Sequence, residues 1–442
     1  SNQADKAIHY TLRAADRAAG RFANDEALRL YSEVETLLAD LPNFQAQRIA
    51  LYRGKGDVLA LTGRYDEARE AYQRALSVTI AAGMSTGLVA STTLRHLAMT
   101  YEKQGQYDQA MHYLEQARTA LADGPSLDHA RIDADSGWLA FLQGDLKQAE
   151  RLLQAALTVA QLEQHHSLQA TAANRLAGIS WQHGQLQQAG ILVAQSLRMS
   201  LRLNDQLAVA KALNNLGVIA YDQSDWVAAE DYYTQSMNTY IKNGDINGQI
   251  RTALNAANAM LMRGHLDDAL RSLHTTYTLA RQVGDKLHMA LSRTHQGRIS
   301  FFVGDLKRAR QYLLEAELVF RAVHGLHVKR SDVAELLGRI AFKSNKPQLA
   351  ELLARKAERF AQGNDMLAVF RARRLHALIT SAAGDFASAD RMLAELNTGM
   401  QIDDRYEKAV LMLVAAQHAP VSYTHLRAHE TKANLVCRLL LE

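Results

Sequence analysis

The sequence predicts an all-α solenoid of about ten helix-turn-helix repeats, with a period of about 40 residues. Three observations carry that expectation. A short turn motif recurs ten times at nearly constant spacing. Only 4 of 442 residues are proline, while Ala and Leu dominate, a balance that favours helix. The hydrophobic fraction is 48%, ample for folding, yet the chain is too long for one compact core.

The motif is a Gly or small polar residue, any residue, a bulky one, two more, then Ala. It reads GRYDEA ending at Ala68, GQYDQA at Ala110, GDLKQA at Ala149 and GQLQQA at Ala189. It continues as SDWVAA at Ala229, GHLDDA at Ala269, GDLKRA at Ala309, NKPQLA at Ala350 and GDFASA at Ala389. A degenerate first copy, RFANDEA, places Ala27 in register. From Ala27 to Ala389 the spacing drifts by no more than about two positions per repeat, too regular for coincidence.

Upstream of each turn sits a second small residue: Gly56, Ala98, Gly137, Ala177, Gly217, Ala257, Gly297 and Gly338. Small residues there let one helix lie close against its neighbour. The turn glycine supplies the left-handed residue that ends the first helix, and a following Asp caps the second. Gly144-Asp145, Gly304-Asp305 and Gly384-Asp385 fit, and Gln148 stands at a capping-box spacing from Asp145. After the turn, apolar residues continue at helical spacing, as in Ala68, Tyr72 and Ala75. A second set of breaks separates the repeats, at Asn204-Asp205, Gly244-Asp245, Gly284-Asp285 and Asn364-Asp365. Each repeat is therefore a helix, a tight turn, a second helix and a short connector.

Charge and motifs then narrow the function classes. A net charge of +4 with 22% charged residues describes an ordinary soluble surface and gives no support to nucleic-acid binding. No run approaches the roughly 18 apolar residues of a membrane span. The start, SNQADKAIHY, has no signal-sequence pattern and no initiator Met, and reads as a fragment of something longer. With Cys437 as the single cysteine, structural disulfides are excluded and a cytoplasmic location is expected. No P-loop, GxSxG, HExxH or CxxC occurs, so neither a catalytic residue, a cofactor nor a metal is assigned. His165-His166 and the pair His324 and His327 have the nearest thing to metal-ligand spacing, but no carboxylate or thiol set surrounds them. Asp133 with Asp135, and Asp403 with Asp404, read as solvated charge.

Segments such as NNLGVIAYDQSDWVAAEDYYTQSM and LYRGKGDVLALTGRYDEAREAYQRAL resemble tetratricopeptide repeats, over residues 1–418. The period near 40, instead of the family's usual shorter one, looks like the longer-helix variety of bacterial regulators. The resemblance implies a right-handed superhelix. The first unit, AIHYTLRAADRAAGRFANDEALRLYSEVETLL, resembles the segment following the nucleotide-binding part of large bacterial signal-transduction ATPases, including maltose-activator-like and cyclase-fused regulators. In those proteins the array senses an inducer or partner. The implied function is a protein-interaction or ligand-sensing scaffold in a larger signalling or transcription-regulatory protein. Two alternatives stand beside it: the regulatory part of an ATPase or cyclase whose catalytic domain lies upstream of Ser1, and a free-standing adaptor.

In stacked repeats of this family the first helices line the concave side, and the family's register names the inward residues. They are Arg53 and Asp57, Arg95, then Arg131, Trp138 and Phe141, then Asn174 and Trp181. Lys211, Asn214 and Tyr221 follow, then Arg251 and Asn258, Arg298 and Phe301, Arg339 and Phe342, and Arg371 and Arg374. Glu102, Asp222, Asp332 and Glu335 are the opposing charges. This stripe predicts a groove for a protein or peptide, acidic in character, with a small-molecule inducer as the other partner class; the alternative is that the aromatics pack between repeats and the arginines are solvated. Residues 419–442 break the pattern. PVSYTHLRAHETKANLVCRLLLE resembles translated adapter sequence on unrelated environmental proteins, and its alternative is a natural amphipathic cap over the last repeat.

Overall fold

The computed structural model describes residues 2–41, 43–121, 126–322, 327–361 and 366–399. The expected tail and Asn364-Asp365 lie outside these residues, as do Asp403, Asp404 and His324. Among the described residues there are twenty α-helices and no strand. In the first half, the first and second helices of successive repeats are α1 (Asn2–Gly20) and α2 (Asn24–Leu38), α3 (Gln45–Leu61) and α4 (Tyr65–Ala81), and α5 (Leu88–Lys103) and α6 (Tyr107–Leu121). Next are α7 (Ser126–Gln143) and α8 (Leu146–Leu162), and α9 (His166–Gln182) and α10 (Leu186–Arg202). The series continues with α11 (Gln206–Asp222) and α12 (Trp226–Asn243), α13 (Ile246–Met262) and α14 (Leu266–Gln282), and α15 (Lys286–Phe302) and α16 (Leu306–Ala322). It closes with α17 (His327–Lys343) and α18 (Pro347–Phe360), and α19 (Met366–Ala382) and α20 (Phe386–Gly399).

The repeat logic is physical. All ten turn alanines are fully buried, each in the first turn of a second helix. The turn glycines Gly63, Gly105, Gly144, Gly184, Gly264, Gly304 and Gly384 all take positive φ. Where the motif lacks Gly, Phe22, Ser224 and Asn345 adopt the same left-handed conformation, so the turn geometry outlasts the residue that favours it. Asp145, Asp305 and Asp385 cap as expected, each carboxylate accepting from the backbone N–H three residues on at 3.0–3.1 Å. The second small residue is sterically required: a Cβ on Gly56 would lie 2.6 Å from the Tyr72 ring, and on Gly217 it would lie 2.5 Å from the Tyr233 ring.

By packing, the chain forms two units, Ser1–Ile219 with Asp231–Thr252, and Ala220–Glu230 with Ala253–Glu442. Each has its own apolar core along the stack. In the first, Ile8, Tyr31, Leu38 and Leu51 fill one layer and Leu153, Leu168 and Ile179 another. In the second, Leu313, Phe320, Val333 and Ile340 do the same.

Candidate partner-binding face

Which helices form the more crowded layer of each stack follows from who touches whom. In the first unit α1 packs on α3, α3 on α5, α5 on α7 and α7 on α9; in the second α15 packs on α17 and α17 on α19. Second helices make their contacts with first helices instead. The first helices are thus the more crowded layer of each unit.

In the first unit most charges on this face are already neutralised. Arg95 and Arg175 both donate to Asp135, each at 2.9 Å, and Asp135 is only 4% exposed. Burial alone would raise its pKa, but Arg175 and then Arg95 outweigh that and hold it below the ordinary carboxylate value. Arg131 pairs with Asp128 and sits 3.1 Å from the His165 ring. His165 itself caps α9, accepting from the Leu168 N–H at 3.2 Å. Trp138 stacks on Phe141 with centroids 5.2 Å apart and donates its indole N–H to Glu102 at 3.1 Å. Lys103 lies 2.7 Å from the same carboxylate. Burial would raise the Glu102 pKa, but Lys103 and Trp138 bring it below the ordinary value. Asp57 accepts from Tyr72 at 2.6 Å and meets His96 at 2.9 Å. The protein around the half-exposed carboxylate would raise its pKa, but His96, Tyr72 and the charge of Arg53 outweigh that and lower it.

Further along, Asn215 donates to Asn174 at 3.1 Å and Asn214 to Asn215 at 3.2 Å, a chain of amides running from α11 to α9. Lys211 is exposed and Arg251 half-buried. Arg251 donates to the Tyr240 hydroxyl at 3.1 Å, and among the described residues neither cation forms an ion pair. Trp181 is 38% exposed.

In the second unit Phe301 is 3% exposed and belongs to the core, with Arg339 4.6 Å and Lys343 4.7 Å from its ring centroid. Arg339 and Arg374 approach Glu335 at 3.7 and 3.9 Å, and Arg371 approaches Asp332 at 3.6 Å. Phe342 packs against Ala341, Ala350 and Ile379. Tyr221 and Asn258 are half-buried. Arg298 has no ion pair among the described residues. Beside it the His295 pKa is pushed down to about 3, chiefly by burial and then by Arg298 and Lys329, so the imidazole is neutral.

Comparison with known proteins follows the same lines. Tetratricopeptide-repeat family models match residues 47–123 and 168–242, 96–161, and 250–275. The chain carries tetratricopeptide repeats. A Rap protein solved with competence and sporulation factor is similar at 15% identity, with a TM-score of 0.53 over 80% of this chain and 99% of that one. The Rap conjugation gene regulator of plasmid pLS20, solved with the Phr* peptide, matches at 12% identity and a TM-score of 0.49, covering 80% of this chain and 97% of that one. At 15% identity the likeness to the first of these shows the fold alone. No curated protein matches the sequence.

Against this tetratricopeptide framework the inward stripe needs three corrections. Asp135 is not solvated charge but the buried centre of a two-arginine cluster. Phe301 and Asn214, at 3% and 4% exposure, fill the interior and offer little surface to a partner. Arg95, Arg131 and Arg339 are engaged internally. The cations of the stripe left without an ion pair among the described residues are then Arg53, Lys211, Arg251 and Arg298. Arg175 was missed altogether. Its signal was spacing: Arg95 and Arg175 each stand one full repeat from Asp135, on opposite sides.

Proposed function

We propose that this chain is a protein- or peptide-binding scaffold whose first-helix face selects acidic segments, serving as the sensing array of a larger bacterial regulator. The observation that carries the reading is the uneven neutralisation of that face. Most of its cations are matched by internal carboxylates. Among the described residues Arg53, Lys211, Arg251 and Arg298 are not, and they are the groups left for a partner's negative charge. The fold neighbour solved with competence and sporulation factor supports a partner held by such a stack. The likeness of the first unit to the array of signal-transduction ATPases supports the regulatory setting.

Probing a peptide array that spans net negative to net positive charge with the labelled chain tests this. Acidic peptides are expected to be retained preferentially, with retention falling as salt rises. Equal retention of acidic, neutral and basic peptides would count against the proposal.

A further inference from the structure

The second unit holds two partly buried histidines in opposite surroundings. His295 of α15 has only cations beside it, Arg298 and Lys329, and stays neutral. His376 of α19 has both ring nitrogens on carboxylates: Nδ1 lies 2.8 Å from Glu358 and Nε2 lies 3.0 Å from Glu351. Both glutamates belong to α18 and stand seven residues apart, two turns along one face. The imidazole therefore spans the junction between the ninth and tenth repeats, with its side chain only 15% exposed.

Proton counting decides what this arrangement needs. A carboxylate only accepts, and a neutral imidazole has one N–H and one bare nitrogen. Both contacts are hydrogen bonds only when the ring carries two protons. In the neutral ring one glutamate loses its donor and faces a nitrogen lone pair instead. The surroundings favour the charged ring. The Glu358 hydrogen bond first, then the charges of Glu358 and Glu351, outweigh burial and hold the His376 pKa above its ordinary 6.5. The other charges that meet α19 sit in pairs of their own. From α17, Asp332 approaches Arg371 and Glu335 approaches Arg374. From α20, Glu395 approaches Arg373, and Asp390 and Arg391 are that helix's remaining charges. On α18, the exposed Arg355 lies 2.7 Å from Glu351, and Lys356 turns to Glu317. His376 is the one imidazole in this set.

We propose that His376 is a pH-sensitive clasp: its imidazolium ties α19 to α18, and deprotonation loosens the repeat formed by α19 and α20. Because the folded pKa lies above the unfolded one, the clasp's contribution is complete below about pH 6.5 and is lost as pH rises through the folded value. This is the reverse of Asp135, whose contribution is lost as pH falls. Raising the pH thus frees the tenth repeat while the ion pairs of the other junctions persist.

Amide hydrogen exchange of the full chain at about pH 6 and about pH 8.5, corrected for the intrinsic pH dependence of exchange, tests the clasp. Protection in α19 is expected to be about tenfold lower at the higher pH, for the loss of a hydrogen bond between charged groups. The reference is α16, which carries no histidine and is expected to keep its protection. In the Glu351→Gln/Glu358→Gln variant one amide accepts from the ring N–H and the other donates to the bare nitrogen, so the second proton is not needed. Protection of α19 in that variant is expected to be the same at both pH values. His376→Gln is expected to lose the pH dependence as well. Equal protection of the parent's α19 at the two pH values overturns the clasp. So does a loss that persists in the double glutamine variant or spreads equally to α16.

Discussion

Asp135 lies between Arg95 and Arg175, and each guanidinium there depends on it for its charge balance. A buried ion cluster gains little over an apolar one of the same shape, but removing one member leaves uncompensated charge inside. Asp135→Ala is therefore expected to cost about 3–5 kcal/mol, measured by chemical denaturation. Replacing Arg95, Asp135 and Arg175 together by apolar residues should cost far less, and a triple variant as unstable as the single one would refute the charge-balance account. The acid response follows from the depressed pKa. The carboxylate's contribution is complete above the unfolded value of about 3.9 and is lost as pH falls through the lower folded value, so the acid limb of stability should flatten in the triple variant. None of this was visible in the local sequence. Asp133 and Asp135 are two nearby carboxylates on one helix, and only their distance of one repeat from an arginine tells them apart: Asp135 has one on each side, and Asp133 does not.

The helices themselves were far more legible, because each is fixed by a local requirement that a residue type announces. A buried turn alanine, a left-handed turn residue and a small residue at the close approach recur in order, and periodicity supplies the rest. The inner face was read less well. Register says which way a side chain points but not whether a neighbouring repeat has already claimed it, as happened with Phe301 and Arg95. Gly56 tests the element-scale logic because two effects oppose each other there. Helix propensity alone makes Gly56→Ala stabilising by about 1 kcal/mol. The added Cβ would meet three atoms of the Tyr72 ring at 2.6–2.9 Å. That ring is 2% exposed and its hydroxyl is tied to Asp57 at 2.6 Å, so it has nowhere to retreat. Net destabilisation of about 1–3 kcal/mol is expected, and a rise in melting temperature would show that α3 and α4 are not held together at this point.

At the scale of the stack, helix pairs in α1–α10 and in α14–α20 pack on their neighbours in the series, so the stability of each stretch is a sum of repeat terms and junction terms and not the property of one core. A long-range exception joins the start of α2 to the end of α12, where the Asn24 amide donates to the Asn243 carbonyl at 3.5 Å. A defect away from that point should then be felt over a short range. The α3–α4 pair meets α1, α2 and α5 through its first helix and α5 through its second, whereas it does not pack on α9 or α10. Gly56→Ala loosens the α3–α4 packing, and amide hydrogen exchange reads the consequence helix by helix. Protection is expected to fall most in α3 and α4, by a smaller factor in α2 and α5, and not measurably in α9 and α10. The gradient matters more than its size, because a single cooperative core would lower protection equally throughout the first unit. A uniform loss from α1 to α10 would mean that the junctions are stiff enough to couple distant repeats.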